Sequence, residues 1–499
     1  MPNPLFARKP ISLILEEMAG DNRLRRVLGP VALSSLGIGA IIGTGIFVLT
    51  GVAAHDKAGP ALTLSFVVAG ITCVFAALCY AEFAAMVPVA GSAYTYAYAT
   101  LGELFAWIIG WDLVLEYAVA SATVAHGWSH YLQNFLRVLF DFYLPHALQS
   151  APIEYEPKLG EFVATGQVMD LPAVLISFAV TAVLVKGIRE SAGFNTAMVI
   201  VKLAVVLFVI VVGSFYIDPA NWEPFAPFGY GGLSLFGKTV VGETSAGGEP
   251  LGMLAGASVI FFAYIGFDSV STHSEEAKNP RRDVPIGIIA SLVICTTLYI
   301  AVAAVITGMV KYDQIDIHAP VPSAFAAVGL KQAEIMVSAG ALAGITSVLL
   351  VLMLSQPRVL LAMARDGLVP PGFFGDVHPK FCTPWKSTIL TGAFVALLGG
   401  FLPLRVLAEL VNIGTLLAFA IVCAAVLVLR KTHPEFPRPF RCPMVPFVPI
   451  AGIACCLMLM LSLPVENWLR LFGWLAAGML IYVLYGRRHS ALRKRPPAP

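Results

Sequence analysis

The chain has 499 residues, 58% hydrophobic and 12% charged, with 32 basic side chains against 30 acidic and a net charge of +2. A soluble globular chain carries roughly a quarter charged residues, so a soluble enzyme, a disordered scaffold and a nucleic-acid binder are excluded. A membrane-crossing helix takes ~20 apolar residues, and the hydrophobic pattern assigns about half the chain to such helices.

No cleavable leader is expected. Residues 1–29 mix Arg8, Lys9, Glu16, Glu17, Asp21 and Arg23 with one short apolar stretch, and no small-residue cleavage site precedes the first long hydrophobic run. Ile11 to Met18 reads either as an amphipathic helix on the inner membrane face or as a loosely ordered tail. Apolar runs then follow at 30–54, 60–81, 103–125, 171–188, 197–217, 251–272, 284–310, 334–362, 387–403, 405–429, 446–464 and 468–486. They predict an all-α membrane protein with twelve spans. The longest polar stretches, 126–170 and 218–250, are too short and too rich in Gly and Pro for a fold of their own, so they read as external loops of one membrane domain. Cys73, Cys79, Cys295, Cys423, Cys455 and Cys456 fall in apolar runs, and Cys382 and Cys442 in inner loops. No disulfide framework is therefore expected.

Orientation follows from Lys and Arg. With both termini inside, and residues at span ends counted with the nearer side, 23 of the 32 basic residues are inner, eight are outer and one lies within a span. The inner set includes Lys278, Arg281, Arg282, Arg430, Lys431, Arg438, Arg441, Arg487 and Arg488. The expected location is the cell inner (plasma) membrane, multi-pass, with cytoplasmic termini.

Two of the apolar runs are unusual. Span 1 carries Gly37, Gly39, Gly43 and Gly45 in quick succession, and span 6 carries Phe261-Phe262-Ala263-Tyr264-Ile265-Gly266-Phe267-Asp268, with an acid in its inner half. Small residues also serve plain helix packing. These interruptions, however, occupy matching places in two five-span halves, spans 1–5 and 6–10, which points to a transporter's central site. A break at that depth survives only facing protein, a cavity or a ligand. The amides near Gly43, Thr44 and Gly45, with the helix dipole, would favour an anion. The carbonyls near Ile41, Phe262, Ala263 and Ile265 would accept from a cation. Donors and acceptors so close together match a zwitterion, the two ends of an α-amino acid.

The glycine-rich span 1 and the Phe-Ala-Tyr-Ile-Gly-Phe-Asp run are joined by Ser274-Glu275-Glu276-Ala277-Lys278-Asn279-Pro280-Arg281-Arg282-Asp283-Val284-Pro285, by Gln356-Pro357-Arg358 and by Met363-Ala364-Arg365-Asp366-Gly367. Together, over residues 20 to 485, they resemble the amino acid–polyamine–organocation superfamily, and within it the cationic amino acid transporter family and its bacterial homologues. The resemblance implies the leucine-transporter-like fold: two inverted five-helix repeats with spans 1 and 6 broken, then spans 11 and 12. The corresponding segments are a cytoplasmic 1–29, a first repeat 30–217, an external loop 218–250, a second repeat 251–430, spans 11 and 12 within 431–486, and a basic tail 487–499.

Charged groups at bilayer depth are functional candidates by default. Lys202 in span 5 matches a family lysine that takes the place of the sodium of coupled relatives, between spans 1 and 8. Such a lysine can alternate between charged and neutral, which implies proton coupling; the bland alternative is a structural ion pair. Glu116 in span 3 matches a substrate-lining glutamate, against a helix–helix hydrogen bond from a protonated acid. Asp268 shares a helical face with Ile265; it either ties span 6 to the site or meets a substrate side chain, or else caps unwound backbone. Met353 in span 8 matches the family position that limits side-chain room, against plain packing. Asp112 shares the face of Glu116, and the family supplies no role for it. His126 and His130 have i, i+4 spacing without an accompanying carboxylate in sequence, and no metal or other cofactor is expected beyond a proton as coupling ion.

No nucleotide-binding or hydrolase motif is present. The expectation is a secondary transporter, not an enzyme. It would import amino acids by alternating access, with proton symport and with small neutral L-amino acids such as alanine favoured. A cationic amino acid or polyamine substrate on the same fold is the alternative; a channel or a non-transporting sensor ranks below both. The expected partners are the substrate and membrane lipid, with no nucleic acid; a small single-span accessory subunit is left open.

Overall fold

The computed structural model describes residues 7–10, 26–89, 91–156, 161–245, 248–317 and 319–494. The stretch from Ile11 to Met18 lies outside them. Eight helical segments among the described residues are long and apolar enough to cross a membrane, the first of them running through Pro30–Met86. Three shorter apolar helices accompany them, Leu171–Lys186, Trp385–Phe401 and Phe447–Ser462.

The first helix, α1 (Pro30–Ile41), opens on a proline, whose missing amide costs nothing at a helix start. It stops where Ile42 turns extended at φ −74°, ψ 100°. Helical structure resumes at Gly45–Leu49 and continues through Thr50–Ala53 and Ala54–Ala58 before α2 (Leu62–Met86). After α3 (Ala93–Thr100), α4 (Glu103–Phe140) runs well past the apolar stretch that predicted it. Polar residues such as His126, Ser129 and Gln133 end the hydrophobic run without ending the helix, which stops only at left-handed Asp141. The region expected to be loop from residue 126 is thus helical to 140.

Next come α5 (Leu171–Lys186) and α6 (Ile188–Ser214), then the second broken segment. Here α7 (Met253–Ile260) tightens into a 3₁₀ turn at Phe261–Tyr264, and Gly266 takes φ 120°, a conformation that favours glycine, before the short α8 (Ser269–Thr272). The chain continues through α9 (Pro280–Met309), α10 (Pro320–Ala327), α11 (Lys331–Arg365), α12 (Trp385–Phe401), α13 (Leu404–Thr432), α14 (Phe447–Ser462) and α15 (Val465–Ile481).

The all-α expectation needs one correction. Among the described residues, three two-stranded antiparallel hairpins sit in the loops: β1 (Ile153–Glu156) with β2 (Glu161–Ala164), β3 (Leu233–Leu235) with β4 (Lys238–Val241), and β5 (Glu243–Thr244) with β6 (Pro250–Leu251). Outside the bundle, short loop segments pair their backbone groups with each other. Within the bundle, α9 packs along α1 and α2, while α4 packs along α11 and α5 along α12. The two broken segments meet between these groups.

Candidate functional site

Both breaks are held by side chains from intact helices. The Tyr299 hydroxyl of α9 lies 2.6 Å from the Ile41 carbonyl and 3.0 Å from that of Ala263, so one group spans the two breaks. Its single proton is shared between two acceptors. Beside it, the wholly buried Lys202 of α6 donates to the carbonyls of Gly39 (2.8 Å) and Ile42 (3.0 Å) and to Ser347 Oγ of α11 (2.8 Å). All three ammonium protons are used. Ser347 in turn reaches Gly39 O and Gly344 O. Lys202 thus reaches span 1 through two backbone carbonyls and span 8 through the Ser347 hydroxyl.

The segments touch directly. A Cβ built on Gly45 would stand 2.3 Å from Ala263 Cα, and one on Gly43 would stand 2.4 Å from Val348 Cγ2. Glycine is therefore required at Gly45 for backbone contact itself, and any side chain there pushes the two breaks apart. Gly43 O accepts from the amides of Ile46 and Phe47, which restarts the helix and leaves the earlier first-turn amides to other partners. Thr44 packs against Gly127 of α4, and its hydroxyl is buried without a hydrogen-bond partner. That orphan donor stands at the helix start where an anion is favoured.

On the other break, Phe262 O accepts from Ile265 N at 3.2 Å. Phe262, Ala263 and Ile265 are all buried. The Asp268 carboxylate accepts from Tyr117 Oη of α4 at 2.6 Å and from Gly266 N at 3.2 Å. Oδ1 thus holds the positive-φ turn, and Oδ2 ties it to α4. Glu116, one residue before Tyr117, is 1% exposed and neither of its carboxylate oxygens has a hydrogen-bond partner. Asp112, a turn earlier, is in the same condition, facing Gly414 of α13. Met353 of α11 is wholly buried.

His126 does have a carboxylate neighbour: Asp170, which caps α5, brings Oδ2 to 3.0 Å from His126 Nδ1. His130 Nε2 stands 3.1 Å from His126 Nε2. No group of three metal-ligating side chains forms among the described residues. Forty-four residues separate His126 from Asp170, which is why sequence spacing did not reveal the pair.

Ion pairs gather at both ends of the bundle. At one, the buried Arg358 of α11 donates to Glu276 at 2.8 Å, Arg365 to Glu275 at 3.1 Å, and Asp366 receives Lys9 at 2.5 Å and Tyr94 at 2.6 Å. The Ser274–Pro285 motif is therefore paired with both of the later motifs, through Arg358 and through Arg365. At the opposite end, Glu249 receives Lys57 at 2.5 Å and also pairs with Arg405. Burial pushes the Glu249 carboxyl up, but the two cations outweigh it and hold it below the usual glutamate range.

Residues 28–481 match the family model for amino acid permeases. The chain belongs to that family. Across its full length this permease is 47% identical, over 495 residues, to the branched-chain amino acid permease BcaP of Bacillus subtilis, covering 99% of this chain and 100% of that one. It is 46% identical over 490 residues to the methylthioribose transporter of the same organism, covering 98% and 99%. The vacuolar cationic amino acid transporter 4 of Arabidopsis thaliana is more distant, 31% identical over 613 residues, covering 100% and 98%. The permease is an integral membrane transporter and not an enzyme, and its resemblance to this superfamily holds.

Proposed function

We propose that this permease imports amino acids across the plasma membrane as a secondary active, proton-coupled transporter working by alternating access. The observation that carries the reading is the Lys202 ammonium, bonded to Gly39 O and Ile42 O at the first break and to Ser347 across it. A single positive charge there stabilises exposed backbone carbonyls as a bound cation would. Protonated, Lys202 keeps the break in shape for substrate; once the proton leaves to the cytoplasm, the charge-assisted bonds weaken and the break relaxes. This reading takes twelve crossings, counting the Pro30–Met86 segment as two and adding the other seven long segments and the three shorter apolar helices found among the described residues. We assign 30–217 and 251–430 to inverted repeats joined by the external loop 218–250, 431–486 to the last two spans, and 1–29 and 487–499 to cytoplasmic tails.

In this reading the substrate carboxylate meets the amides of Gly43, Thr44 and Gly45 and the orphan Thr44 hydroxyl. The ammonium meets carbonyls at Ile41, Phe262, Ala263 and Ile265. A carbonyl has two lone pairs, so Tyr299 occupying one at Ile41 and Ala263 leaves the other for substrate. Asp268 acts as a positioning group, and Met353 bounds the side-chain space and favours small neutral L-amino acids such as alanine. The Bacillus relative named for branched-chain amino acids supports a neutral substrate.

A second reading rests on Glu116, whose buried and unpartnered carboxyl would receive a cationic side chain or a polyamine. Competition settles between them. Purified protein in proteoliposomes, energised by an inward proton gradient without sodium, should take up labelled alanine, and leucine and serine should compete better than arginine or putrescine. Preferential uptake of arginine would install the second reading, and uptake that requires sodium would overturn the coupling.

A further inference from the structure

A groove of about 770 Å³ runs along the first half of α9, from Arg281 and Arg282 past Ile286 and Ile289 to Val293, with Phe440 as its far wall. It lies away from the breaks and takes no part in the proposed transport cycle. Its chemistry is divided along its length. At one end, Arg281 and Arg282 are exposed, and neither guanidinium makes an ion pair or hydrogen bond among the described residues. Asp283, the nearest acid in sequence, is buried and accepts from the amide of Asn279. Lys278 and Arg441, next in sequence to the lining residues Asn279 and Phe440, are also exposed. Farther along, the lining is apolar, with Ile286 and Val293 40% and 53% exposed.

We infer that this groove binds an anionic phospholipid, its phosphate on Arg281 and Arg282 and an acyl chain along Ile286, Ile289 and Val293. Unpaired arginines at a helix end that enters the membrane are a headgroup site by charge. The dimensions agree. Arg281 to Val293 spans about 18 Å at the helical rise, close to the ~15 Å half-thickness of a bilayer's hydrocarbon core. A residue pair that served only to orient the chain would need no groove, and a purely greasy crevice would need no arginines. The loop bearing Phe440 closes the site laterally, which distinguishes it from the ordinary lipid-facing surface of the other helices.

The test is a titration of the purified full-length protein in mild detergent, followed by native mass spectrometry, with dioleoyl phosphatidylglycerol and dioleoyl phosphatidylcholine in parallel. Wild type should retain the anionic lipid in preference to the zwitterionic one. R281Q/R282Q should weaken the anionic lipid roughly 30-fold, from about 1 kcal/mol per basic group near a headgroup, while its melting temperature without added lipid stays at the wild-type value. Equal retention of both lipids, or unchanged phosphatidylglycerol binding in R281Q/R282Q, would overturn the proposal. So would displacement of the lipid by inorganic phosphate alone, which would mean a bare anion site, or a helix of another protein found seated in the groove.

Discussion

Replacing Tyr299 with Phe removes one hydroxyl and leaves the ring, which sits 5.4 Å from the ring of Phe66 and 5.5 Å from that of Tyr264, in its packing. What is lost is the bond shared between Ile41 O at 2.6 Å and Ala263 O at 3.0 Å. A buried carbonyl left short of a donor costs about 1–3 kcal/mol. In the proposed site those two carbonyls also face the substrate ammonium, so their orientation enters the binding energy. If about half the penalty falls on the substrate-competent arrangement, about 0.5–1.5 kcal/mol, the half-saturation concentration for alanine rises about two- to tenfold, since 1.4 kcal/mol is tenfold. Initial rates of uptake into proteoliposomes measure it, with the melting temperature recorded in parallel to report the part that falls on folding. An unchanged half-saturation concentration in Tyr299→Phe would refute the view that one hydroxyl coordinates both breaks.

Met353→Ser removes volume and adds a hydroxyl to a wholly buried position, so leucine or arginine should gain relative to alanine in competition uptake; an unaltered ranking would mean that Met353 only packs. Arg358→Gln leaves Glu276 buried without its charge partner, which costs about 3–5 kcal/mol. Denaturant unfolding in detergent should show that loss and a partial recovery in the Arg358→Gln/Glu276→Gln double variant; strict additivity would deny the coupling. Glu249 is held below its ordinary range, so the stabilisation from its Lys57 and Arg405 contacts is fully present above the unfolded glutamate value of ~4.3 and is lost as pH falls through the lower folded value. Glu249→Gln should flatten the acid side of the melting-temperature profile and lower the plateau near neutrality; an acid limb identical to wild type would contradict the clamp.

The features legible in sequence were those with a local signature. Clustered glycines and an acid in an apolar run marked the two breaks, and a lone charge between Val201 and Leu203 marked Lys202. The residues that hold the breaks carried no such mark. Tyr299 lies 258 residues from Ile41, and Ser347 lies 145 from Lys202. A tyrosine or serine in an apolar helix looks like any other until the fold supplies its acceptor. The same applies to Arg358 and Glu276, which stood out only as parts of two separate motifs. Helix ends misled for a different reason. Hydropathy ended span 3 near residue 125, but α4 continues to Phe140 because its polar face meets protein and loop instead of lipid, as in the bond from Gln133 to Gln149 O.

The claim that Lys202 is the coupling group is tested most directly by accumulation of labelled alanine in sodium-free proteoliposomes under an imposed inward proton gradient, comparing wild type with Lys202→Met. The account predicts concentrative uptake by the wild type and none by Lys202→Met, with alanine binding to the variant still detectable by isothermal calorimetry. Full gradient-driven accumulation by Lys202→Met would contradict it and leave the lysine as a structural tie between α6 and the first break.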